Sequence, residues 1–489
     1  MEMKSKSNIS LFVPILSVSF LFFCSPRVLF AEEQNAPLYG SFIQPWLYAE
    51  WSDEQWDREC AALKSVGVEA VILGWTAKRE HNASHWETSY PSKIPGTKMK
   101  TNDIKPLFKY AGKHGLKVYM GLGLDDDWWN WNLSKAWDAE KFKDTMRMSA
   151  KIAKEIYEMY QPEYPDQFAG FFCTYEIWNH VDWDRKPLRD LQAERFADGF
   201  NLLIKTLDEI APEMPLLFSP FSTVERYADI SSTRAFYDSF LRKTHFRKQD
   251  GMLPMDNVGG GGQTLETVER WAIMYATAVK DSGNKLNCYA NVENFVESRQ
   301  ESINRSGNTS MVILEGDDYI GSAPIARFLE QIDVAKRHAT KLFSFSYSHY
   351  YGPVNNIPGF HAAFLRYRQT GEKDSVFPVA PAVVIFAMAN AEVAGSSKTV
   401  RVLRVSWEGA SDDFGISRVN LYRGEKLVSH HFAIRRDGEW SISEPKFLYY
   451  PEFRQDHADY RLGVVDVWGN ETKTKPFKID PAKGRVNLK

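Results

Sequence analysis

The sequence predicts an α/β fold, a (β/α)8 TIM barrel, followed by a smaller all-β sandwich of immunoglobulin or fibronectin type III-like kind. That expectation rests on three features of the chain. From Gly40 to about Gly371, short apolar runs alternate with helical patterns, as parallel β/α units do. Eight such runs occur, spread over a length suited to a barrel with enlarged loops. Beyond Phe377-Pro378 the helical periodicity stops, and alternating strands with turn signals take over. An open doubly wound sheet is the runner-up, but no strand is followed by a dinucleotide-type glycine fingerprint.

The N-terminus reads as a processing segment. Lys4 and Lys6 precede an apolar stretch from Leu11 to Phe23, then Ser25-Pro26-Arg27, with Ala31 before Glu32. That is the layout of a secretory signal peptide over residues 1–31, so export to the periplasm or the extracellular space is expected. An uncleaved anchor is the alternative, although the run is short for a full span. Cys24 does not make a lipoprotein signal, because Phe23 stands where a small residue is needed. No later stretch could cross a bilayer.

The barrel is expected over residues 36–374. Its first strand is Ser41 to Trp46, and a helix opens at Ser52 with Gln55 completing a capping box. Trp56, Cys60 and Leu63 form that helix's apolar face, and Gly67 ends it. The second strand is Ala70 to Trp75, followed by a long polar loop and a helix to Gly115. Val118 to Leu124 is the third, and a helix burying Phe142, Met146, Ala150, Ala153 and Tyr157 leads to the fourth, Phe168 to Tyr175. Pro215 to Phe218 is the fifth. Met252 to Met255 is the sixth, followed by Gly259 to Gly262 and a helix capped by Thr264 and closed by Gly283. Leu286 to Val292 is the seventh. An irregular insertion and a helix carrying Ile325, Phe328, Leu329 and Ile332 precede the eighth, Leu342 to Tyr347.

The sandwich is expected over residues 377–484, with strands at Val400 to Trp407, Ser417 to Tyr422, Tyr460 to Trp468 and Thr472 to Ile479. Asp437-Gly438 and Gly469-Asn470 mark turns. Trp407 would fill its core, and Tyr460 sits where a tyrosine corner could form. A packing or spacer role suits it better than sugar binding.

Composition narrows the function classes. The net charge of −3 supplies no positive field for nucleic acid or an anionic membrane. After signal removal the chain keeps Cys60, Cys173 and Cys288, which read as buried free thiols rather than a disulfide. The fold must therefore live on its core. The 15 Trp, 22 Tyr and 31 Phe can fill cores or stack on sugar faces, so their positions decide.

In such a barrel the active site lies at the C-terminal ends of the strands. There the sequence places Gln44 and Trp46, Trp75, Asp125 with Trp128 and Trp129, and Tyr175, Glu176, Trp178 and Asn179. The later strands add Asp256 and Asn257, Asn291 and Glu293, and Tyr347, His349 and Tyr350. The mouth is aromatic and acidic nearly all the way round. Carboxylates directly after apolar runs must be paired or solvated, so stability alone does not ask for them. Glycoside hydrolysis needs one protonated carboxyl to serve the leaving oxygen. It needs a second, ionised carboxylate to attack the anomeric carbon or activate water. Glu176 after strand four and Glu293 after strand seven suit those roles, as general acid/base and nucleophile of a retaining pair. Either could instead merely hydrogen-bond substrate or a barrel arginine.

Four stretches, Gly40-Ser-Phe-Ile-Gln44, Gly170-Phe-Phe-Cys-Thr-Tyr-Glu-Ile177, Met255-Asp-Asn-Val-Gly-Gly260 and Tyr289-Ala-Asn-Val-Glu-Asn-Phe295, resemble a bacterial barrel family known as domain-of-unknown-function family 4434. That family is similar to glycoside hydrolases, and glutamates on strands four and seven resemble the layout of glycosidase clan A. The resemblance spans about Gly40 to Gly371 and implies a carbohydrate substrate. Clan A usually carries Asn before its acid/base, where this chain has Tyr175.

Asp256 is the rival catalyst, as base of an inverting pair or as the neighbour that tunes a glutamate. The Asp125-Asp126-Asp127 run, with His349, admits a metal reading, but a loop bonding sugar hydroxyls fits better. Gly259 to Gly262 is followed by no Gly-Lys-Ser/Thr, so a mobile loop suits it better than phosphate binding. Trp46, Trp75, Trp128, Trp129 and Trp178 are candidate sugar platforms. Neither cofactor nor metal is expected. A non-catalytic sugar-binding barrel and a structural component of a surface assembly are the alternatives to an enzyme.

Overall fold

The computed structural model describes residues 37–488 apart from 101–103, 225–226, 284, 298–319, 393–398, 436–441, 444–446, 452 and 454. The expected signal segment with Cys24, most of the insertion after the seventh strand and the Asp437-Gly438 turn lie outside the described residues.

Eight parallel strands follow in chain order: β1 (Gly40–Ile43), β2 (Ala70–Leu73), β3 (Lys117–Gly121), β4 (Phe168–Cys173), β5 (Leu216–Phe218), β6 (Gly251–Met252), β7 and β8 (Leu342–Phe345). β7 comes in two pieces, Asn287–Cys288 paired with β6 and Ala290–Glu293 paired with β8. Gly40 of β1 pairs with both Ala70 of β2 and Phe343 of β8, so the ring closes. The eight apolar runs of the sequence are these strands, and the expected barrel is what folds.

A helix follows each strand: α1 (Asp53–Ser65), α2 (Lys105–His114), α3 (Ala136–Tyr160), α4 (Lys186–Ile210), α5 (Ile230–Lys243), α6 (Val268–Asp281), α7 (Ile325–Ala335) and α8 (Pro358–Thr370). α1 shows why. The Gln55 N–H donates to Ser52 Oγ, and the Ser52 N–H donates to Gln55 Oε1 at 2.8 Å, satisfying two orphan donors at once. Trp56, Cys60 and Leu63 then repeat at helical spacing and are buried, and Gly67 takes a positive φ beyond the end.

Several strands end two or three residues earlier than expected, and two boundaries show why such ends shift. β3 stops at Gly121, because Gly123–Asp125 swings away to pair with Ala77–Arg79 in a separate small sheet. α6 starts at Val268, since Thr264 to Thr267 form a preceding turn in which the Val268 N–H donates to the Thr264 carbonyl.

The two-residue period of the strands sorts the core. Phe42, Ile72, Tyr119, Phe172, Leu217, Leu253 and Phe343 pack along the barrel axis. Their neighbours Ile43, Val71, Met120, Phe171, Leu216 and Met252 turn outward under the helices. Each such burial stabilises the fold by about 1.5–3 kcal/mol. Cys60, Cys173 and Cys288 are free thiols.

The C-terminal region forms strands β9 (Val383–Glu392), β10 (Thr399–Glu408), β11 (Ile416–Arg423), β12 (Lys426–Phe432), β13 (Phe447–Tyr450), β14 (Tyr460–Asp466), β15 (Glu471–Lys473) and β16 (Arg485–Asn487). They make two four-stranded antiparallel sheets, ordered β13-β10-β9-β16 and β12-β11-β14-β15. Phe386, Leu403, Val405, Val419, Leu421 and Leu462 form the core. Because β16 pairs with β9, this region runs past residue 484. Trp407 shares a face with Leu403 and Val405 but lies half-buried at the end of the core. The Tyr460 hydroxyl donates to Asp456 Oδ1 at 3.4 Å, a carboxylate rather than the backbone of a tyrosine corner.

The sandwich is docked on the barrel. The Val467 and Trp468 carbonyls accept from the Ile325 and Ala326 N–H groups, at 2.9 and 3.4 Å, at the start of α7. That helix has no side-chain cap of its own, so the second region satisfies orphan donors of the first. Trp468 also packs on Tyr367 of α8, ring centroids 5.9 Å apart.

Candidate active site

Strand alternation aims the acids. Phe172 points along the axis, so Thr174 and Glu176 continue that face beyond the end of β4, while Cys173 and Tyr175 turn to the helices. The Glu176 carboxyl has no hydrogen-bond partner among the described residues. Its backbone carbonyl is held by Trp128 Nε1 at 3.1 Å. Burial pushes its pKa up to about 8, so the group keeps its proton at neutral pH.

On β7, Asn291 and Glu293 share the inward face. Asn291 Nδ2 reaches Ser219 Oγ of the β5 end at 3.2 Å, which it can do only from inside the barrel. Glu293 is 4% exposed, and its Oε2 accepts from the Gly260 N–H at 2.9 Å. Gly259 is needed there, because a Cβ on it would lie 2.7 Å from the Phe295 carbonyl oxygen and 2.9 Å from Glu293 Oε2. Both sides of the Glu293 peptide are clamped. Its N–H donates to Asp256 Oδ1 at 3.3 Å. Its carbonyl accepts from Gln331 Nε2 at 2.9 Å and from the Arg327 guanidinium at 3.4 Å.

Asp256 is engaged at both oxygens. Oδ2 accepts from Gln331 Nε2 at 2.6 Å, and Oδ1 also accepts from the Val258 N–H. Leu253 faces the axis, so alternation turns Asp256 toward α7, where Gln331 stands. Burial raises its pKa to about 6, with Gln331 and the two N–H groups working against it. Burial, and next the Asp256 charge, raise Glu293 to about 8; the Gly260 and Gly259 N–H groups and Arg327 oppose this.

The remaining sequence-predicted residues divide into two groups. Gln44, Trp46, Trp75, Trp129, Trp178 and Tyr350 keep exposed or half-exposed surface at the strand ends. Gln44 fits against the end of β2 because residue 74 is glycine; a Cβ there would overlap Gln44 Oε1. His349, 8% exposed, accepts the Gln44 N–H on Nε2 and packs edge-on to Trp46. Burial drops its pKa to about 3, so it is a neutral ring.

The second group is consumed by structure, and there the expectation of sugar contact is corrected. Asp125 is fully buried against Arg79, while Asp126 pairs with Lys78 and Asp127 with His81. These pairings also remove the metal reading. Among the described residues no group of three His, Cys, Asp or Glu could hold a metal ion. Trp128 and Tyr175 are buried together beneath the loops against Phe142. Asn179 ties the loops after β4 and β5 through Thr223 and Ala228. Asn257, at φ 51°, bonds Ser222 and Thr223 and shapes the glycine loop. The Tyr347 hydroxyl meets His361 Nδ1 at 2.8 Å in the helix layer. Asn291 is inside the barrel, below the mouth.

Sequence reasoning missed Gln331, Arg327 and the Gly260 N–H. A signal existed for the first: Gln331 falls on the apolar face of α7 beside Phe328 and Ile332, and is buried there. Among the described residues no helix is long and apolar enough to cross a membrane.

Compared with solved structures, the chain is similar to a β-galactosidase from psychrophilic Marinomonas ef1, at 9% identity and TM-score 0.39, over 63% of this chain and 54% of that one. It thus spans about half the length of that enzyme. An endo-β-1,4-mannanase from Thermotoga petrophila is similar at 10% identity and TM-score 0.39, over 90% of this chain and 97% of that one. Likenesses this slight bear on neither substrate nor mechanism. No curated protein matches the sequence. A family model does, over residues 38–361, which takes in every barrel strand and both glutamates; the chain belongs to the family described as Domain of unknown function (DUF4434).

Proposed function

We propose that the chain is a glycoside hydrolase acting on a poly- or oligosaccharide, with Glu176 as general acid/base and Glu293 as nucleophile. The observation that carries this reading is Glu176 itself. It is an inward-facing, partnerless carboxyl held protonated at neutral pH, in a mouth where the Asp125 trio is paired with Arg79, Lys78 and His81.

In the first step Glu176 gives its proton to the glycosidic oxygen, the bond from that oxygen to the anomeric carbon breaks, and Glu293 bonds to that carbon. In the second, water attacks the carbon, its proton goes to Glu176, and Glu293 leaves as a carboxylate. Gly260 N–H stabilises the Glu293 charge, and Asp256 and Gln331 position it. Asp256 has both oxygens occupied, so it serves as a positioning residue rather than as the base. Gln44, Trp46, Trp75, His349 and Tyr350 are the candidate substrate contacts around the reacting sugar.

The N-terminal segment marks an exported enzyme, working in the periplasm or outside the cell. The sandwich, read as fibronectin type III-like, supports the barrel. The test is a glycan-panel digest with products read by mass and anomer. Wild type should cleave at least one glycan with retention, and Glu176→Gln should lower kcat by about 10³ while still binding it. Equal turnover by Glu176→Gln would remove the acid/base assignment.

A further inference from the structure

The loops after β3, β4 and β5 bring three rings together. Trp129 and Trp178 have centroids 5.7 Å apart, Trp178 and Phe221 6.3 Å, and Trp129 and Phe221 6.4 Å, with interplanar angles of 29°, 21° and 46°. The assembly is fixed from beneath. The Phe221 N–H donates to the Ile177 carbonyl at 3.0 Å, and buried Trp128 packs edge-on to Trp178. The rings border a cleft of about 340 Å³, at the lower end of the range of small-molecule sites.

Loop packing alone would bury such rings. Here Trp129 remains 49% exposed, and Tyr227 on the same cleft 41%. Among the described residues no Lys, Arg, Asp or Glu lines the cleft, whose polar groups are the side chains of Asn130, Asn132 and His180, the Tyr227 hydroxyl and the indole N–H groups. Burial holds His180 below its usual range, so it is uncharged at neutral pH. Asp182 nearby is occupied by Arg185, Asn132 and Ser134. Open ring faces with neutral hydrogen-bonding groups fit the apolar face and hydroxyl edge of a pyranose. They give nothing to a carboxylate, sulfate or phosphate.

We infer that this cleft is a binding position for an uncharged pyranose on the leaving-group side of Glu176. The direction rests on the hydrolase reading. The cleft is built around the β4 end and so lies on the side of the proton donor, away from Glu293 on β7. The sugar released by bond cleavage would rest there.

The full-length Glu176→Gln chain, which leaves its probes intact, is titrated with cellotetraose, mannotetraose, xylotetraose, chitotetraose and tetragalacturonic acid, following tryptophan fluorescence. At least one neutral tetrasaccharide should bind and perturb the emission. Adding Trp129→Ala should weaken it by about tenfold or more, Trp129→Phe should retain most of the affinity, and the galacturonate should not bind. Trp129 is half exposed, so its replacement spares the fold. Unchanged affinity in Trp129→Ala, tighter binding of the acidic sugar, or no binding of any neutral one overturns the inference. Hydrolysis by wild type with binding indifferent to Trp129 defeats the cleft and leaves the two-carboxylate reading standing. Ring-dependent binding with no turnover by wild type does the reverse.

Discussion

Gly259→Ala adds one methyl group against Glu293. The new Cβ would sit 2.7 Å from the Phe295 carbonyl oxygen and 2.9 Å from both Cβ and Oε2 of Glu293. Relaxed carbon contacts need about 3.5–4 Å, so loop or carboxylate must move by about 1 Å. The backbone of Phe295 is pinned by Arg327, which leaves the glycine loop and the Glu293 side chain to yield. Either motion stretches the 2.9 Å bond from the Gly260 N–H, a hydrogen bond to a charged group with a contribution of about 1.5–3 kcal/mol. A misplacement of that size at a reacting atom costs about 10²-fold in rate. The expected variant is folded and loses about 30- to 100-fold in kcat with little change in KM. Its acid limb should also move to higher pH, because the lost N–H favoured the ionised carboxylate. The assay is a set of initial rates across pH on the glycan found by the panel, with thermal unfolding alongside. A kcat within about twofold of wild type in an equally stable variant would mean that this loop does not place Glu293.

Three further outcomes can be checked. On the proposed mechanism turnover requires Glu176 protonated and Glu293 ionised. With both pushed up to about 8, rate falls below that pH as Glu293 takes up a proton and above it as Glu176 loses one, so kcat/KM should form a narrow bell near pH 8; an optimum near pH 5 would contradict it. Asp256→Asn keeps an acceptor for the Glu293 N–H but removes the charge that raises Glu293, so the acid limb should move to lower pH with turnover kept within about tenfold; a loss of about 10³ would make Asp256 the base instead. Truncation after Phe377 strips the acceptors from Ile325 and Ala326 and the buried Val467 and Trp468 from the helix layer. It should lower barrel stability by about 5 kcal/mol in chemical denaturation, against no change for a mere spacer.

The barrel was legible because each strand is an apolar run and several helices carry end signals, such as Ser52 with Gln55 and the glycines at 67, 115 and 371. The candidate acids were chosen by their position after a strand. Position alone was too generous a criterion, because it ignored side-chain direction. Period-two alternation from Phe172 separates outward Tyr175 from inward Glu176, and from Leu253 it turns Asp256 away from the axis. That test needed only the sequence and one inward residue per strand. Trp128 escapes it, since the 3-10 turn over Asp126–Asn130 breaks the alternation. Nor could it be read that Lys78, Arg79 and His81 would meet Asp126, Asp125 and Asp127. Those pairs depend on the short parallel pairing of Ala77–Arg79 with Gly123–Asp125, two segments that leave the barrel sheet together. In the sandwich, β9 was missed because its run Val383 to Glu392 mixes alanines with apolar residues and carries little alternation.

The second region bears on the site through one helix. Val467 and Trp468 hold the first turn of α7. In that same turn Arg327 grips the Phe295 and Glu293 carbonyls, and its Nε donates to Gln331 Oε1 at 3.1 Å, one turn on. Gln331 in turn binds Asp256 and the Glu293 carbonyl. Every link is a hydrogen bond between buried or half-buried groups, where the cost of leaving a partner unsatisfied exceeds the gain from any single bond. Such a chain tolerates no slack, so a shift of α7 must reach the Glu293 backbone. Glu176 has no counterpart to this scaffold. Its carboxyl makes no hydrogen bond among the described residues, which on the proposed mechanism suits a group that gives and retakes a proton, whereas the carboxylate of Glu293, the proposed nucleophile, is held by the Gly260 N–H.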